Sequence, residues 1–323
     1  MRAFVCSSLD GLDGVAAGEL PDPDLRPGSV RVGVAAAGVN FPDLLIIQGR
    51  YQTRAEPPFA PGAEFAGEVL EVADDVTGVA VGDRVYGSVS YGAYAEQVVV
   101  DAAALFAMPD GMDHTQAATL PVVYGTSYHA LVDRAQIQPE ETLLVLGAAG
   151  GVGLAATQIG AALGARVVAA VSSDQKAAAV RSAGAHEVIR YDREDLRERL
   201  RAVAPDGADV VFDPVGGPVT EAALRSTAWN GRLLVIGFAS GEIPRIPANL
   251  PLLKGCSVVG VFWGRFAGIA PDRNRSNFAA LNEMWANGQI APLVSQAFGL
   301  DHAGEALRLM GDRGAIGKLV ITP

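Results

Sequence analysis

A glycine-rich turn between a strand and a helix is the segment of this sequence best suited to chemistry. The apolar run Thr142–Leu146 predicts a strand, and a helix is predicted over Gly151–Leu163 directly after the turn. Backbone N–H groups at such a helix N-terminus hold the pyrophosphate of a dinucleotide, provided that no side chain keeps the ligand away. In the pattern A-x-G-x-x-G, Gly150 allows that approach and Gly153 allows the helix to pack closely on the strand, while Ala148 replaces the first glycine.

We therefore predict that this turn binds a dinucleotide. The alternative is a purely structural turn, which we disfavour because a strand precedes it and alternating helices and strands follow it. The predicted contacts are Ala149, Gly150, Gly151, Val152 and Gly153.

The end of the second strand, Arg166–Val171, favours NADP over NAD. NAD-binding chains usually carry an acidic residue there, about 20 residues past the glycines, which binds the ribose hydroxyls. Ser172 stands there instead. No carboxylate then repels a 2′-phosphate, and Ser172, Ser173 and Lys176 are candidate donors to it. Two alternatives stay open: Asp174 caps or opens the next helix, and Lys176 is a solvated helix charge.

The elements that must position these residues change in kind along the chain. Up to about residue 120, short strand-like runs between turn residues predict a β-barrel or sandwich. These runs are Ser29–Ala36, Glu64–Val72, Asp83–Tyr86 and Ala93–Val100. After Pro121, apolar runs of strand length alternate with helix-length segments, which is typical of a parallel, doubly wound sheet. The predicted fold class is therefore α/β.

The end of the chain predicts four further elements. An apolar strand over Ser257–Trp263 is the last of the alternating series. Helices are predicted over Asn277–Ala286 and Ala303–Met310, and a final strand over Gly317–Thr322. Since this strand stands apart from both series, the sequence allows it to complete either domain.

The composition agrees with a globular protein of two domains and argues against several partners. The chain has 323 residues, of which 50% are hydrophobic, and a formal net charge of −11. No stretch concentrates Lys or Arg as nucleic-acid binding requires. Cys6 and Cys256 cannot build a disulfide framework and fit a reducing cytoplasm. We expect no signal peptide, because Met1–Cys6 reads as a short strand, and no membrane span.

Several segments together resemble one enzyme family. They are residues 148–153, 171–176 and 184–191 in the second half, and residues 37–43 and 61–67 in the first. The chain resembles the zinc-independent quinone oxidoreductase branch of the medium-chain dehydrogenase/reductase superfamily over nearly its whole length.

The resemblance implies a GroES-like β-rich catalytic domain formed by residues 1–121 and 266–323. A Rossmann NADP-binding domain, residues 122–265, is inserted between these two parts. In similar enzymes the cofactor lies in the cleft between the domains.

The resemblance also implies how the cofactor is held. Similar enzymes grip the 2′-phosphate with a Ser and a Lys after the second strand and a Tyr after the third, which correspond here to Ser172, Lys176 and Tyr191. The residues placed beside the nicotinamide are Gly237, Phe238, Phe262 and Trp263. The alternatives are that Tyr191 caps a strand end and that the aromatic pair belongs to the core or to an interface.

Departures from zinc-dependent relatives predict a site without metal. Those relatives carry a Cys in the first N-terminal segment, a Gly-His-Glu in the second and four clustered Cys elsewhere. Here Asn40 and its neighbours offer no thiolate, and Ala63 replaces the His. Glu64 alone cannot bind zinc, which needs three or four ligands in fixed geometry.

Without a Lewis acid, the expected substrate is an acceptor that is already electrophilic. A quinone, or a C=C bond conjugated to a carbonyl, accepts hydride from a nicotinamide if the protein orients the partners and stabilises the oxyanion. Tyr51 is our first candidate for the proton donor, and Asn40 for orienting nicotinamide or substrate. Some relatives have a Tyr at the position of Leu45, which this chain lacks. The structural alternatives are that Asn40 fixes a turn, Asp43 caps a helix and Tyr51 packs.

The sequence thus predicts an NADPH-dependent reductase of quinones or α,β-unsaturated carbonyl compounds. One alternative is a reductase of enoyl thioesters, either acyl-CoA or carrier-bound, for which Arg50, Arg54 and Arg265 supply basic residues. An alternative of another class is a catalytically silent NADPH-binding protein. The apolar edge at Ser257–Trp263 predicts a homodimer, as in similar enzymes. Lys318 is expected to lie in solvent, and the alternative is that it reaches the cleft.

Overall fold

The computed structural model describes residues Met1–Pro323 and divides into two units. Unit one comprises Met1–Val122 and Pro292–Pro323, and unit two comprises Val123–Ala291. The strands are β1 (Arg2–Cys6), β2 (Val15–Glu19), β3 (Ser29–Gly38), β4 (Glu64–Val72), β5 (Arg84–Ser88), β6 (Gln97–Asp101), β7 (Leu105–Ala107), β8 (Thr142–Val145), β9 (Arg166–Val171), β10 (Glu187–Arg190), β11 (Ala208–Asp213), β12 (Thr227–Val235), β13 (Ser257–Gly260), β14 (Val294–Gly299) and β15 (Lys318–Thr322).

The α-helices are α1 (Phe41–Ile46), α2 (His114–Ala117), α3 (Gly125–Tyr128), α4 (Gly151–Ala162), α5 (Asp174–Ser182), α6 (Leu196–Val203), α7 (Pro218–Arg225), α8 (Asn249–Lys254), α9 (Trp263–Ile269), α10 (Pro271–Ala286) and α11 (Ala303–Gly311). Short 3-10 turns cover Gly11–Gly14, Ala102–Ala104 and Leu300–His302, and π-helical turns cover Leu120–Tyr124 and His129–Arg134. None of the helices combines the length and apolar character needed to cross a bilayer.

Unit one is built on a seven-stranded sheet in the order β14-β15-β3-β4-β5-β7, with β6 also paired to β3. All pairs are antiparallel except β14 with β15. Val30 and Val32 are fully buried while Arg31 between them reaches Glu71, so β3 shows the alternation of a sheet with one buried face. The β-rich first domain predicted from short strands is confirmed.

The register of three strands in this sheet brings distant residues together. Val320 of β15 pairs with Gly38 at the end of β3, and Ala37 pairs with Phe65 at the start of β4. The end of β3, the start of β4 and the start of β15 therefore meet at one edge of the sheet. The sequence left open which domain the final strand completes, and the structure places it in unit one.

Unit two is a six-stranded parallel sheet in the order β10-β9-β8-β11-β12-β13. Numbered within the unit, this order is 3-2-1-4-5-6, the arrangement of a doubly wound dinucleotide-binding fold. Leu143, Leu144 and Val145 of β8 are completely buried, as expected of a central parallel strand covered on both faces. The predicted parallel sheet is confirmed.

The second domain boundary lies later in the chain than predicted. The strand expected over Ser257–Trp263 ends at Gly260, and Trp263 opens α9. The Trp263 indole N–H donates to Asn274 of α10 at 3.0 Å, and its ring meets Phe278 edge-on. Because these contacts attach α10 to unit two, the chain returns to unit one at Pro292 and not at residue 266.

Candidate active site

The turn between β8 and α4 in unit two has an open face at Gly150. A Cβ atom at Gly153 would lie 2.5 Å from the carbonyl oxygen of Gly147 and 2.7 Å from Cα of Ala148, so the fold itself requires glycine there. Gly150 is different: its φ is −75°, and a Cβ would meet nothing in the protein closer than 3.5 Å. The side of Gly150 can thus be approached by a ligand.

The first turn of α4 offers N–H groups to such a ligand. Those N–H groups lack acceptors within the helix, and Gly150 has no side chain with which to cap them. Such N–H groups, together with the positive end of the helix dipole, favour the approach of an anion. The predicted contacts Ala149, Gly151 and Val152 all lie in this turn or its helix.

Three of the residues predicted to contact a 2′-phosphate follow β9: Ser172, Ser173 and Lys176. The ammonium of Lys176 donates to Oγ of Ser172 at 3.4 Å, which brings the two predicted donors together. Ser173 is the N-cap of α5, because its hydroxyl accepts from the backbone N–H of Lys176 at 3.2 Å. Ser173 therefore has a structural role, and its cofactor contact stays a prediction.

The charge of Asp174 is balanced by two arginines that the sequence prediction missed. Asp174 lies in the first turn of α5, one of its two predicted places, and its carboxylate binds the guanidinium groups of Arg190 and Arg193. Tyr191, between them, is 43% exposed. Arg190 is the last residue of β10 and Arg193 follows the strand, so the signal was two basic residues at the end of the third parallel strand.

The predicted nicotinamide contacts differ in accessibility. Gly237 and Phe238 follow β12, and Phe238 is 36% exposed. Phe262 is 54% exposed, whereas Trp263 is only 8% exposed and bonded to Asn274. The structure therefore gives Trp263 the surroundings of a core residue, and its contact with a cofactor stays a prediction.

A buried carboxylate supports the loop that follows β11. Asp213 accepts from the N–H groups of Val215 and Gly216, both at 2.9 Å, and from the hydroxyl of Thr220 at 2.5 Å. Asp213 was not among the predicted site residues, although an acidic residue at the end of an apolar strand was a visible signal. Its hydrogen bonds fix the backbone beside β12.

Lys318 in unit one is buried, which contradicts the expectation that it lies in solvent. Only 3% of it is exposed. Its ammonium donates to the carbonyl oxygen of Val39 and to Oδ1 of Asn40, both at 2.7 Å, and to Oε1 of Glu64 at 2.8 Å. All three ammonium protons therefore have acceptors, as burial of a charge requires.

Glu64 is the counter-ion of Lys318 and is completely buried. Its Oε1 also accepts from Nδ2 of Asn40 at 2.8 Å, and its Oε2 accepts from the N–H of Val122 at 2.7 Å. Because both oxygens accept hydrogen bonds within the protein, this carboxylate holds Lys318, Asn40 and the backbone of Val122 in place.

The amide of Asn40 is held entirely within unit one. It accepts from Lys318 and donates to Glu64 and, at 3.3 Å, to the carbonyl oxygen of Gly38. With 4% of the residue exposed, Asn40 fixes the entry to α1. This agrees with the turn-fixing alternative, and a direct contact with substrate or nicotinamide stays a prediction.

Asp43 caps α1 from a fully buried position. Its Oδ2 accepts from the N–H of Asn40 at 2.8 Å and from the hydroxyl of Tyr94 at 2.7 Å. Burial raises the pKa of Asp43 to about 7, although the hydrogen bonds from Tyr94 and Asn40 and the charge of Lys318 oppose the rise. The expected capping role is confirmed, whereas Tyr94 was not anticipated as its partner.

Tyr51 is partly buried, and its hydroxyl makes no hydrogen bond to another residue. Burial and, to a lesser extent, the charge of Asp43 raise the pKa of Tyr51. The phenol is therefore protonated at neutral pH, the state required of a proton donor.

Comparison with known proteins identifies the family. The family described as alcohol dehydrogenase GroES-like domain matches residues 26–110, and the family described as zinc-binding dehydrogenase matches residues 151–282. The quinone oxidoreductase-like protein 2 homolog of Nematostella vectensis is 40% identical, over 99% of this chain and 88% of the relative. The chain belongs to the quinone oxidoreductase family of the medium-chain dehydrogenases/reductases.

Solved structures of this family share the fold over the full chain. A probable oxidoreductase from Mycobacterium abscessus is 37% identical and superposes with a TM-score of 0.92, covering 100% of this chain and 99% of the other. The Escherichia coli quinone oxidoreductase complexed with NADPH is 28% identical and has a TM-score of 0.93, covering 100% of both chains. The GroES-like and Rossmann architecture implied by the sequence resemblance is confirmed.

The donor set of this quinone oxidoreductase family member does not fit zinc. Glu64 is bound to Lys318, Asn40 and the N–H of Val122, and Ala63 beside it carries no ligand atom. The structure contains no group of three or more His, Cys, Asp or Glu side chains arranged to hold a metal ion. A zinc site needs such a group.

Proposed function

We propose that this chain is an NADPH-dependent reductase of quinones or of the activated C=C bond of α,β-unsaturated carbonyl compounds, and that it works without a metal. The observation that carries the proposal is the turn after β8. Packing within the protein does not require a glycine at position 150, and the absence of a side chain there leaves room for a ligand. The family relationship adds weight, since a relative of the same fold binds NADPH.

The residues around this turn fit NADPH. The N–H groups at the start of α4 are proposed to bind the pyrophosphate, and Ser172, Lys176 and Tyr191 the 2′-phosphate. Asp174 and Asp192, which follows Tyr191, are both ion-paired with Arg190 and Arg193, so two cations balance the charges of these two acids. The cofactor, when bound, supplies a hydride.

Unit one is proposed to supply the proton. Reduction of an activated alkene leaves an enolate, whose carbon must be protonated, and the unbonded phenol of Tyr51 is available as the donor. A quinone needs no proton on carbon. Because the acceptor is already electrophilic, it needs no activation by a Lewis acid. This agrees with the side chains around Glu64, which do not fit zinc.

The direct test follows NADPH absorbance with a benzoquinone, an enone, a haloacrylate and crotonyl-CoA as acceptors. Turnover of the quinone or the enone supports the proposal. Preferential turnover of crotonyl-CoA would favour an enoyl thioester reductase. NADPH binding without reduction of any acceptor would favour a catalytically silent NADPH-binding protein.

Replacing Tyr51 by Phe is expected to slow alkene reduction by roughly 100-fold, the lower range for loss of a general acid. Quinone reduction should fall much less, because the hydroquinone oxygen exchanges protons with water. The measurement is kcat for an enone and a benzoquinone with the same enzyme preparation. Equal losses on both acceptors would remove Tyr51 from the protonation step.

Replacing Lys176 by Ala is expected to weaken NADPH binding by roughly 10- to 100-fold, because a charged hydrogen bond contributes about 1.5–3 kcal/mol. NADH, which lacks the 2′-phosphate, should bind the variant and the wild type alike. Titration by intrinsic fluorescence measures both affinities. Arg181→Ala, an exposed cation further along α5, is the matched control and should leave both unchanged.

We also propose a homodimer in the cytoplasm. β13 is an edge strand of the parallel sheet, and large apolar side chains are exposed on and near it: Trp229 at 73%, Leu252 at 78% and Val258 at 40%. An edge strand with such neighbours favours pairing with a second copy. Two unpaired cysteines, Cys6 and Cys256, agree with a reducing compartment.

A further inference from the structure

An ion cluster of two arginines and two aspartates lies at the carboxyl end of β10 in unit two. Arg190 and Arg193 are each ion-paired with both Asp174 and Asp192. Two cations and two anions leave the cluster without net charge. A ligand that carries more negative charge than a carboxylate can therefore compete with an aspartate for an arginine.

The register of the parallel sheet places this cluster beside the predicted donors to a 2′-phosphate. Arg190 is the Cα partner of Val171, the last residue of β9, and the N–H of Tyr191 donates to the carbonyl oxygen of Val171 at 3.2 Å. Ser172 follows Val171 directly, and its hydroxyl accepts from the ammonium of Lys176 at 3.4 Å. The cluster and the donors thus lie at the carboxyl ends of two adjacent strands, the edge at which this fold binds ligands.

Arg190 is the fixed cation of the cluster. Its Nε and Nη2 donate to the two carboxylate oxygens of Asp192, both at 2.8 Å, and its Nη1 binds Asp174. Its side chain is only 12% exposed. Because all three nitrogens have acceptors, a ligand could bind Arg190 only by breaking a bidentate pair.

Arg193 is the cation that is able to change partner. Its side chain is 63% exposed and makes one hydrogen bond, from Nη2 to Asp174 at 3.0 Å. Its Nε lies 3.7 Å from the nearest oxygen of Asp192, which is beyond hydrogen-bond distance. A guanidinium group has five N–H donors, so most of those of Arg193 have no acceptor in the protein.

We propose that Arg193 determines the specificity for NADPH: it leaves Asp174 and binds the 2′-phosphate. Asp174 is then an internal competitor of that phosphate for the same guanidinium group. The inference rests on the proposed function, since it concerns the cofactor that the turn after β8 is proposed to bind. It adds a cation from the segment after β10 to the donors after β9.

The exchange is favourable because the two ion pairs differ in strength. Asp174 is 76% exposed, so water and salt weaken its attraction for Arg193. A phosphate monoester carries about 1.5 to 2 negative charges at pH 7. Its oxygens accept two parallel N–H bonds from a guanidinium group. Arg190 stays bound to Asp174, so the carboxylate keeps a cation when Arg193 leaves.

The alternative is that Arg193 only neutralises Asp174 and never contacts the cofactor. The two explanations differ once the charge of Asp174 is removed. Neutralisation alone makes Arg193 dispensable in a variant that lacks the carboxylate. Partner exchange requires Arg193 whether or not residue 174 is charged.

The first test measures the affinities of the protein for NADPH and NADH by titration calorimetry, without any acceptor. Arg193→Gln should weaken NADPH binding by roughly tenfold, the lower end for loss of a charged hydrogen bond, and leave NADH binding unchanged. Arg197→Gln is the matched control, an exposed cation on α6 outside the cluster, and should bind both as the wild type does. An unchanged NADPH affinity in Arg193→Gln would overturn the proposal.

The second test removes the competitor. Asp174→Asn should tighten NADPH binding by roughly two- to fivefold, the range for loss of an exposed ion pair, and Ser173 still caps α5 in this variant. The double variant Asp174→Asn/Arg193→Gln should bind NADPH at least tenfold more weakly than Asp174→Asn. Equal affinities of these two variants would show that Arg193 acts only by neutralisation. No tightening in Asp174→Asn would show that its carboxylate does not compete.

A third measurement needs no variant. A crystal structure of the wild type with adenosine 2′,5′-bisphosphate should show the guanidinium group of Arg193 on the 2′-phosphate. Arg193 still paired with Asp174 in that complex would contradict the exchange.

The same titrations separate failure of this inference from failure of the proposed function. Adenosine 2′,5′-bisphosphate and adenosine 5′-monophosphate differ only in the 2′-phosphate, so the wild type should prefer the bisphosphate and Arg193→Gln should lose most of that preference. If Arg193→Gln keeps the full preference, the exchange is wrong and the dependence on NADPH stands. If the wild type itself binds NADH as tightly as NADPH, the proposed cofactor is wrong and the inference falls with it.

Discussion

Replacing Lys318 by Met should lower the free energy of unfolding by about 3–5 kcal/mol, the range for breaking a buried ion pair by removing one partner. Methionine fills similar volume, so the loss arises chiefly from the Glu64 carboxylate, which stays buried without its cation. The side chains of Lys318 and Glu64 are 4% and 0% exposed, so the carboxylate is out of contact with bulk water that could replace the lost donor. Urea denaturation, monitored by circular dichroism, measures the effect.

The double variant Lys318→Met/Glu64→Gln is the control for this explanation. It leaves no unpaired charge and should recover much of the lost stability. Arg225→Ala is the surface control: Arg225 and Glu221 form an ion pair at 2.7 Å with both side chains about 40% exposed, and its loss should cost under about 1 kcal/mol. A double variant no more stable than Lys318→Met alone would show that packing, and not charge, explains the loss.

The burial of Lys318 could not be predicted from the sequence. A lysine at the start of an apolar final strand is usually solvated, and nothing within the segment indicates otherwise. What buries it is the pairing of β15 with β3, which places it beside Asn40 and Glu64. That register joins residues more than 250 positions apart in the chain. The local sequence pattern around Lys318 cannot predict such a long-range strand pairing.

The parallel sheet, in contrast, was predictable because its determinants are local. A strand such as β8 is apolar on both faces, and the Gly-rich turn that follows sets its length. The helix α4 begins at the glycines of that turn, with Gly150 as its N-cap. The same reasoning failed near Trp263. An apolar run gave no sign that the backbone changes from β13 to α9, since Trp263 is buried by tertiary contact with Asn274 and Phe278.

Part of the candidate site was predictable for the same reason. The turn at Gly150 and the donors Ser172 and Lys176 lie at the ends of consecutive strands, so topology brings the right side chains to one edge. Tyr94 and Arg193 were missed because each acts on a partner from another element, Asp43 and Asp174 respectively.

Replacing Gly150 by Ala should weaken NADPH binding by about 100-fold, or about 2.7 kcal/mol, while leaving the fold intact. A methyl group there has room in the protein, and the backbone at φ −75° and ψ 170° is one that alanine adopts without strain. Its cost appears only when a pyrophosphate must approach the N–H groups of α4, each of which contributes a charge-assisted hydrogen bond. Isothermal titration calorimetry and urea denaturation measure affinity and stability on the same preparation.

Gly153→Ala is the matched control, because the two glycines are required for different reasons. Its Cβ would lie 2.5 Å from the carbonyl oxygen of Gly147, a backbone atom that cannot move alone, so this variant should lose about 1–3 kcal/mol of stability together with NADPH affinity. Gly150→Ala should lose affinity only. If Gly150→Ala binds NADPH as tightly as the wild type, no phosphate passes over that residue, and the proposed cofactor position, on which the reductase mechanism depends, is wrong.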